Sequence, residues 1–351
     1  MKKSFAYIVL LFFLIVYTVC SGVYMRDVTL FKCSSNSIFG SDKYKYGDLF
    51  GMSYFPKIKE LSCSDSLDVQ IEKFPALNKI TLCLVHDSYL GESFLKSKNQ
   101  FIGVDTIYDI EYPWWRNKQS IPIQLDSTKT NVLVFEIVER HINNLSIEIA
   151  LNLVKFDNTT VKEISTINFS FLKRIKKIMF NNYVNANLEF FLFDSRIFTP
   201  FKELKSFINY TFFHRTNTDV FLSKNSKYLI YSPTKSSIQH KVTDGEIAKT
   251  VNTLNEIYNF YKNKGFDEVY FSIIPNPVSI IKPDSRDYNN LIPLIQNDQN
   301  LKMQMIDIYS LFKHTNYNIY YHSDTHWNKN GFQLWANEFN RTINESKNKN
   351  K

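Results

Sequence analysis

Three short, near-continuous runs of β-branched and aromatic residues constrain this chain more than anything else in it. Residues 80–85, 131–138 and 268–274 each read as a strand buried on both faces. Directly before the third run lies a clear helix. Thr243-Asp244-Gly245-Glu246 fits a capping box, and Ile247, Val251, Leu254, Tyr258 and Tyr261 fall on one stripe. Lys262, Lys264 and Gly265 mark the end. Strands and helices alternating at this spacing require a parallel sheet covered by helices. The expected fold class is therefore α/β, a three-layer sandwich with a mainly parallel sheet.

Weaker signals fill the gaps. A second strand is expected at 101–104, loop at 107–115, an added strand at 145–151, and an amphipathic helix at 201–213. Further on, short strands at 220–223 and 228–231, a helix at 288–296 and a strand at 303–308 continue the alternation. The glycine-punctuated aromatic stretch 46–56 reads as loop. This divides the chain into an N-terminal membrane or signal segment (1–25), a first α/β part (26–144), an insertion (145–219) and a second α/β part (220–351).

Ligands of open α/β sheets bind beyond the carboxyl ends of the strands, so polar residues just past those ends carry the most information. Ser88 follows the first run, and a helix over 91–96 would aim its N-terminus at it. Asp87 stands beside it as a substrate-site candidate. Arg140 follows the second run and Asn276 the third; each is a candidate oxyanion donor, as are backbone amides near Ser88. Near the C-terminus, Tyr320-Tyr321-His322-Ser323-Asp324-Thr325-His326-Trp327-Asn328 leads into an apolar helical pattern, with Asn328 or Asn330 available as its N-cap. Asp324 and His326 stand two apart, so both side chains leave the same side of an extended segment. A carboxylate orienting an imidazole is one half of a nucleophilic relay, and Ser88 is the candidate for the other half. Taken singly, Ser88 is an ordinary turn serine and Trp327 a packing residue. His322, Asp324 and His326 also alternate as metal ligands do, with only His86 and Asp87 to complete a shell.

The Asp-Ser after an apolar strand, joined with Asp-Thr-His-Trp-Asn and a following Gly331, resembles the SGNH (GDSL-type) hydrolase superfamily. The Asp-x-His-Trp form is similar to its alginate O-acetylation (AlgJ/AlgX-like) branch. The resemblance covers two motifs of roughly a dozen residues each. It implies that Ser88 is acylated, that His326 is its base and that Asp324 orients His326. It also implies an esterase or O-acetyltransferase acting on O-acyl, chiefly O-acetyl, groups of an extracytoplasmic polysaccharide, with no cofactor and with a membrane protein supplying the acyl group. Two departures stand out. His86 occupies the position where the family has glycine, and the serine precedes the Asp-x-His segment, as in ordinary SGNH hydrolases but unlike the alginate proteins. Other readings open at this stage are an inactive domain that binds glycan or scaffolds export, and a metal-dependent hydrolase.

Residues 5–24 form a charge-free apolar run after Met1-Lys2-Lys3, about the length of a bilayer span, with the lysines favouring a cytoplasmic N-terminus. The expectation is a retained anchor with the main domain outside the cytoplasm. Val19-Cys20-Ser21 also offers a tolerable signal-peptide exit. Export permits a bridge between Cys33 and Cys63, whereas Cys83 lies in a core strand. Hydrophobic residues make up 44% of the 351, with 30 Phe and 21 Tyr, which excludes a disordered chain. The formal charge of +8 comes from lysines scattered among asparagines, without a dense patch or a nucleic-acid motif.

Overall fold

The computed structural model describes residues 2–20, 40–62, 79–90, 100–114, 120–156, 183–281 and 287–349. The chain forms two compact units. One joins Met1–Asp65 with Thr160–Asn217, the other Ser66–Thr159 with Thr218–Lys351.

The first unit contains helices α1 (Lys2–Cys20), α2 (Tyr183–Glu189) and α3 (Thr199–Phe213). The Asn187 amide of α2 donates to the Cys20 carbonyl at 2.6 Å, and Arg196 pairs with Asp42 at 2.7 Å. Residues 46–56, expected as loop, contain the helix Asp48–Ser53, which Tyr54 stops in the left-handed region at φ 48°. The expected membrane span over 5–24 is not supported. The described helix covers Lys2–Cys20, residues 21–24 lie outside the described ones, and no described helix is long and apolar enough to cross a membrane.

The second unit is built on five parallel strands: β1 (Ile80–His86), β2 (Val104–Glu111), β3 (Thr130–Val138), β4 (Glu268–Ile274) and β5 (Gln304–Met305). Their order is β2-β1-β3-β4-β5. Because successive side chains alternate, each buried strand feeds two cores. Cys83, Val85, Phe135 and Phe271 pack on one face with α4 (Asp244–Asn263) and α5 (Leu291–Gln296). Leu82, Leu84, Val134 and Tyr270 pack on the other with α6 (Ile308–His314) and α7 (Lys329–Lys349), through Phe312, Phe332, Trp335 and Phe339. The α/β class with a mainly parallel sheet between helices is thus as expected. Thr243 and Glu246 form the expected capping box of α4.

Several local expectations are corrected. The strand expected at 101–104 begins at Val104 and runs to Glu111, through residues expected as loop. It is an edge strand with mostly part-exposed side chains, so no apolar run announces it. The stretch 145–151, alternating like a strand, is a helix (Ile147–Asn152) that Ser146 caps by accepting from the Ile149 amide. It leads to a short strand, Val154–Phe156, parallel to Ile121–Ile123. The helix at 288–296 shortens to Leu291–Gln296 and the strand at 303–308 to Gln304–Met305. Val220–Leu222 and Leu229–Tyr231 do pair, antiparallel. The helix at 91–96 and the Cys33–Cys63 pair fall outside the described residues.

Candidate active site

With the order β2-β1-β3, the direction in which strands are added reverses between β1 and β3. This opens a crevice at their carboxyl ends. Ser88 stands there, exposed, at the start of the single turn Ser88–Leu90 just beyond β1. Asp87 holds that turn down. One carboxylate oxygen accepts from the Tyr89 amide at 2.9 Å and the other from the Val138 amide at 2.7 Å, which ties the serine turn to the end of β3. Asp87 is 2% exposed, so its carboxylate is a clamp and not a substrate group.

The second segment is a closed loop between α6 and α7. Tyr320 and Trp327 form an antiparallel bridge, and the Asn328 amide donates to the Ile319 carbonyl at 2.9 Å. Of the two candidate caps, Asn328 takes the role, its side-chain oxygen accepting from the Asn330 and Gly331 amides. Gly331 has a separate reason to be glycine: a Cβ there would lie 2.5 Å from the Ile319 carbonyl oxygen and 2.7 Å from Trp327 Cβ. This closure puts Asp324 and His326 side by side. Asp324 Oδ1 accepts from the His326 backbone amide at 2.9 Å and lies 2.6 Å from His326 Nδ1. His326 Nε2 lies 2.9 Å from Ser88 Oγ, across 238 residues of chain. The carboxylate holds the ring proton on Nδ1, which leaves the Nε2 lone pair for the serine hydroxyl.

Tyr89, next to the serine, joins the two segments. Its hydroxyl donates to the Thr325 carbonyl, and its ring lies 4.8 Å from His326 and 5.5 Å from Trp327. Arg140 approaches the same ring, Nη1 3.5 Å from the Tyr89 hydroxyl. Asn276 goes elsewhere. It is fully buried, with its amide donating to Ser237 Oγ and its backbone N–H to Glu139. Glu139 also accepts from Ser237 and Ser279, linking the ends of β3 and β4, and burial pushes its carboxyl up. Tyr89→Phe is expected to lose about 1–2 kcal/mol in urea unfolding, and kcat is expected to fall roughly tenfold as the histidine loop loosens.

Sequence reading missed Tyr89, Glu136 and Glu139. Glu136 carried a visible signal, a lone acid inside an apolar run. Fully buried, it accepts from the Asp87 amide at 3.2 Å, and burial together with the Asp87 charge raises its carboxyl well above the usual range.

His86, the departure from the family's glycine, is buried with both ring nitrogens against acceptors. Nδ1 is 2.6 Å from the Asp87 carbonyl and Nε2 2.5 Å from Asp109. Both must donate, so the ring is held as imidazolium. Burial opposes the charge, but the Asp109 carboxylate and Asp87 outweigh it and the His86 pKa is raised. A raised histidine adds stability that is complete below its unfolded value near 6.5 and is lost as pH rises through the folded value. The urea midpoint of the wild type should therefore fall over that window. In His86→Gln the fall should be smaller, and identical slopes would show that His86 titrates alike in folded and unfolded chains.

His322 does not join the Ser88–His326–Asp324 contacts; its Nε2 is 3.0 Å from the Asn318 amide and its ring packs on Tyr228. Trp327 is fully buried. No protein-family profile, no curated protein and no solved structure matches this chain.

Proposed function

We propose that this chain is a serine-dependent acyl-ester enzyme with Ser88 as nucleophile, His326 as general base and acid, and Asp324 as the group that orients it. The observation that carries the reading is the continuous line from an exposed hydroxyl at a sheet's switch point through Nε2 at 2.9 Å and Nδ1 at 2.6 Å to a carboxylate. Ser88 Oγ attacks the acyl carbon while its proton passes to His326 Nε2. The tetrahedral adduct expels the alcohol, which takes that proton, and leaves acyl-Ser88. Water or a sugar hydroxyl then gives its proton to His326 and attacks the acyl carbon, and the second adduct expels Ser88 Oγ, which takes that proton back from His326 Nε2. General-base help of this kind is worth about 10²- to 10⁴-fold. Backbone amides of the Ser88 turn are the leading oxyanion donors, with the Arg140 guanidinium behind them.

Within that class, the particular reading is an SGNH-like enzyme of the O-acetylation branch, acting on O-acetyl groups of a polysaccharide outside the cytoplasm. This rests on the Asp-x-His-Trp and Asp-Ser motifs. His86, the best support for an inactive scaffold, fits as a charged brace under the serine turn. The metal reading loses donors, since His322 faces Asn318 and both His86 nitrogens are engaged. The test is hydrolysis of p-nitrophenyl acetate by the full chain, with a fluorophosphonate label located by peptide mass spectrometry. Turnover with the label on Ser88 supports the proposal. A label elsewhere, or turnover that the label leaves intact, overturns it.

A further inference from the structure

Helix α3, in the first unit, is inside out. Lys202 and Glu203 are engaged within the unit: Lys202 pairs with Asp194 at 2.8 Å and reaches the Tyr54 hydroxyl at 3.2 Å, while Glu203 pairs with Lys59 at 2.8 Å. Its apolar residues point out. Phe201 is 68% exposed, Leu204 56% and Phe212 71%, with Ile208 and Phe213 beside them. Phe193 and Ile197, in the turns that precede α3, are exposed as well. A helix that keeps its ion pairs against its own unit and turns its phenylalanines outward has an apolar medium on its outer side.

We propose that this face docks on a lipid bilayer with anionic headgroups, α3 lying in the interface with its apolar row among the upper acyl carbons. Two observations select lipid over a second protein. In the same unit, α1 exposes Leu10, Leu11, Phe12, Phe13 and Ile15 in succession, at more than half of each side chain. Five nearly consecutive helical positions face all round the axis. A protein partner covers a stripe, whereas lipid covers every side. Lys57 and Lys205 are exposed in the same unit, Lys57 5.7 Å from the Tyr210 ring of α3, where they suit anionic headgroups. This docking does not depend on the esterase reading.

The test uses the full chain on vesicles of phosphatidylcholine and phosphatidylglycerol at 3:1. Phe212→Trp should acquire tryptophan emission that lipids brominated high on the acyl chain quench more than they quench the wild type. The triple variant Phe201→Glu, Leu204→Glu and Phe212→Glu replaces only exposed side chains. It should keep its circular dichroism and partition at least about tenfold more weakly in flotation. Equal quenching of Phe212→Trp and wild type overturns the proposal, because it places α3 off the membrane even if α1 alone floats the protein. So does a lipid-independent dimer that the triple variant breaks while flotation stays unchanged.

Discussion

Ser88→Ala and His326→Ala should each lower kcat/KM on p-nitrophenyl acetate by about 10⁴-fold or more, with urea midpoints close to wild type. Ser88 is exposed and, among the described residues, its hydroxyl meets His326, so alanine is expected to remove chemistry and leave packing alone. The double variant should be no worse than the poorer single one, because the two residues act as one unit. Asp324→Asn tests the carboxylate separately. One oxygen, Asp324 Oδ1, serves both the His326 backbone amide and Nδ1, so an asparagine oxygen placed there keeps both contacts but lacks the negative charge that stabilises the imidazolium formed during proton transfer. The fall should approach that of the alanine variants, with the loop intact. Equal rates for wild type and Ser88→Ala would end the serine mechanism.

Trp327→Ala should cost about 3–5 kcal/mol in urea unfolding. The indole is fully buried among Tyr89, Phe312, Phe332 and Trp335, at ring separations of 5.5 to 6.3 Å. It is also the residue after His326 and the closing partner of Tyr320. The cavity should therefore disturb the Asp324–His326 loop as well as the core, and esterase activity should fall at temperatures where the protein is still folded. Trp327→Phe should restore most of both. A loss below about 1 kcal/mol for the alanine variant would mean that the loop is not anchored by this packing.

Local pattern was enough wherever a structure depends on neighbours in the chain. The buried strands β1, β3 and β4 show as apolar runs because both of their faces are covered. The α4 capping box is satisfied within four residues. The Asp324–His326 pair is likewise a two-residue relation. Pattern failed where burial was partial or competing. β2, at a sheet edge, lacks the apolar run, and 147–152 alternates like a strand yet curls into a helix once Ser146 caps it.

Other features were decided only when the chain closed. Residue type marked Ser88, Asp87 and Asn276 alike as polar groups past strand ends. Packing then left one hydroxyl in the open, spent both oxygens of Asp87 on backbone amides, and buried Asn276 against Ser237. No spacing rule contains the 2.9 Å between Ser88 and His326, because it depends on how α6 and α7 lie on the sheet and on Tyr89 holding the Thr325 carbonyl. Short-range preferences choose the elements, and the long-range contacts that offset the chain's lost entropy choose which of their polar residues meet.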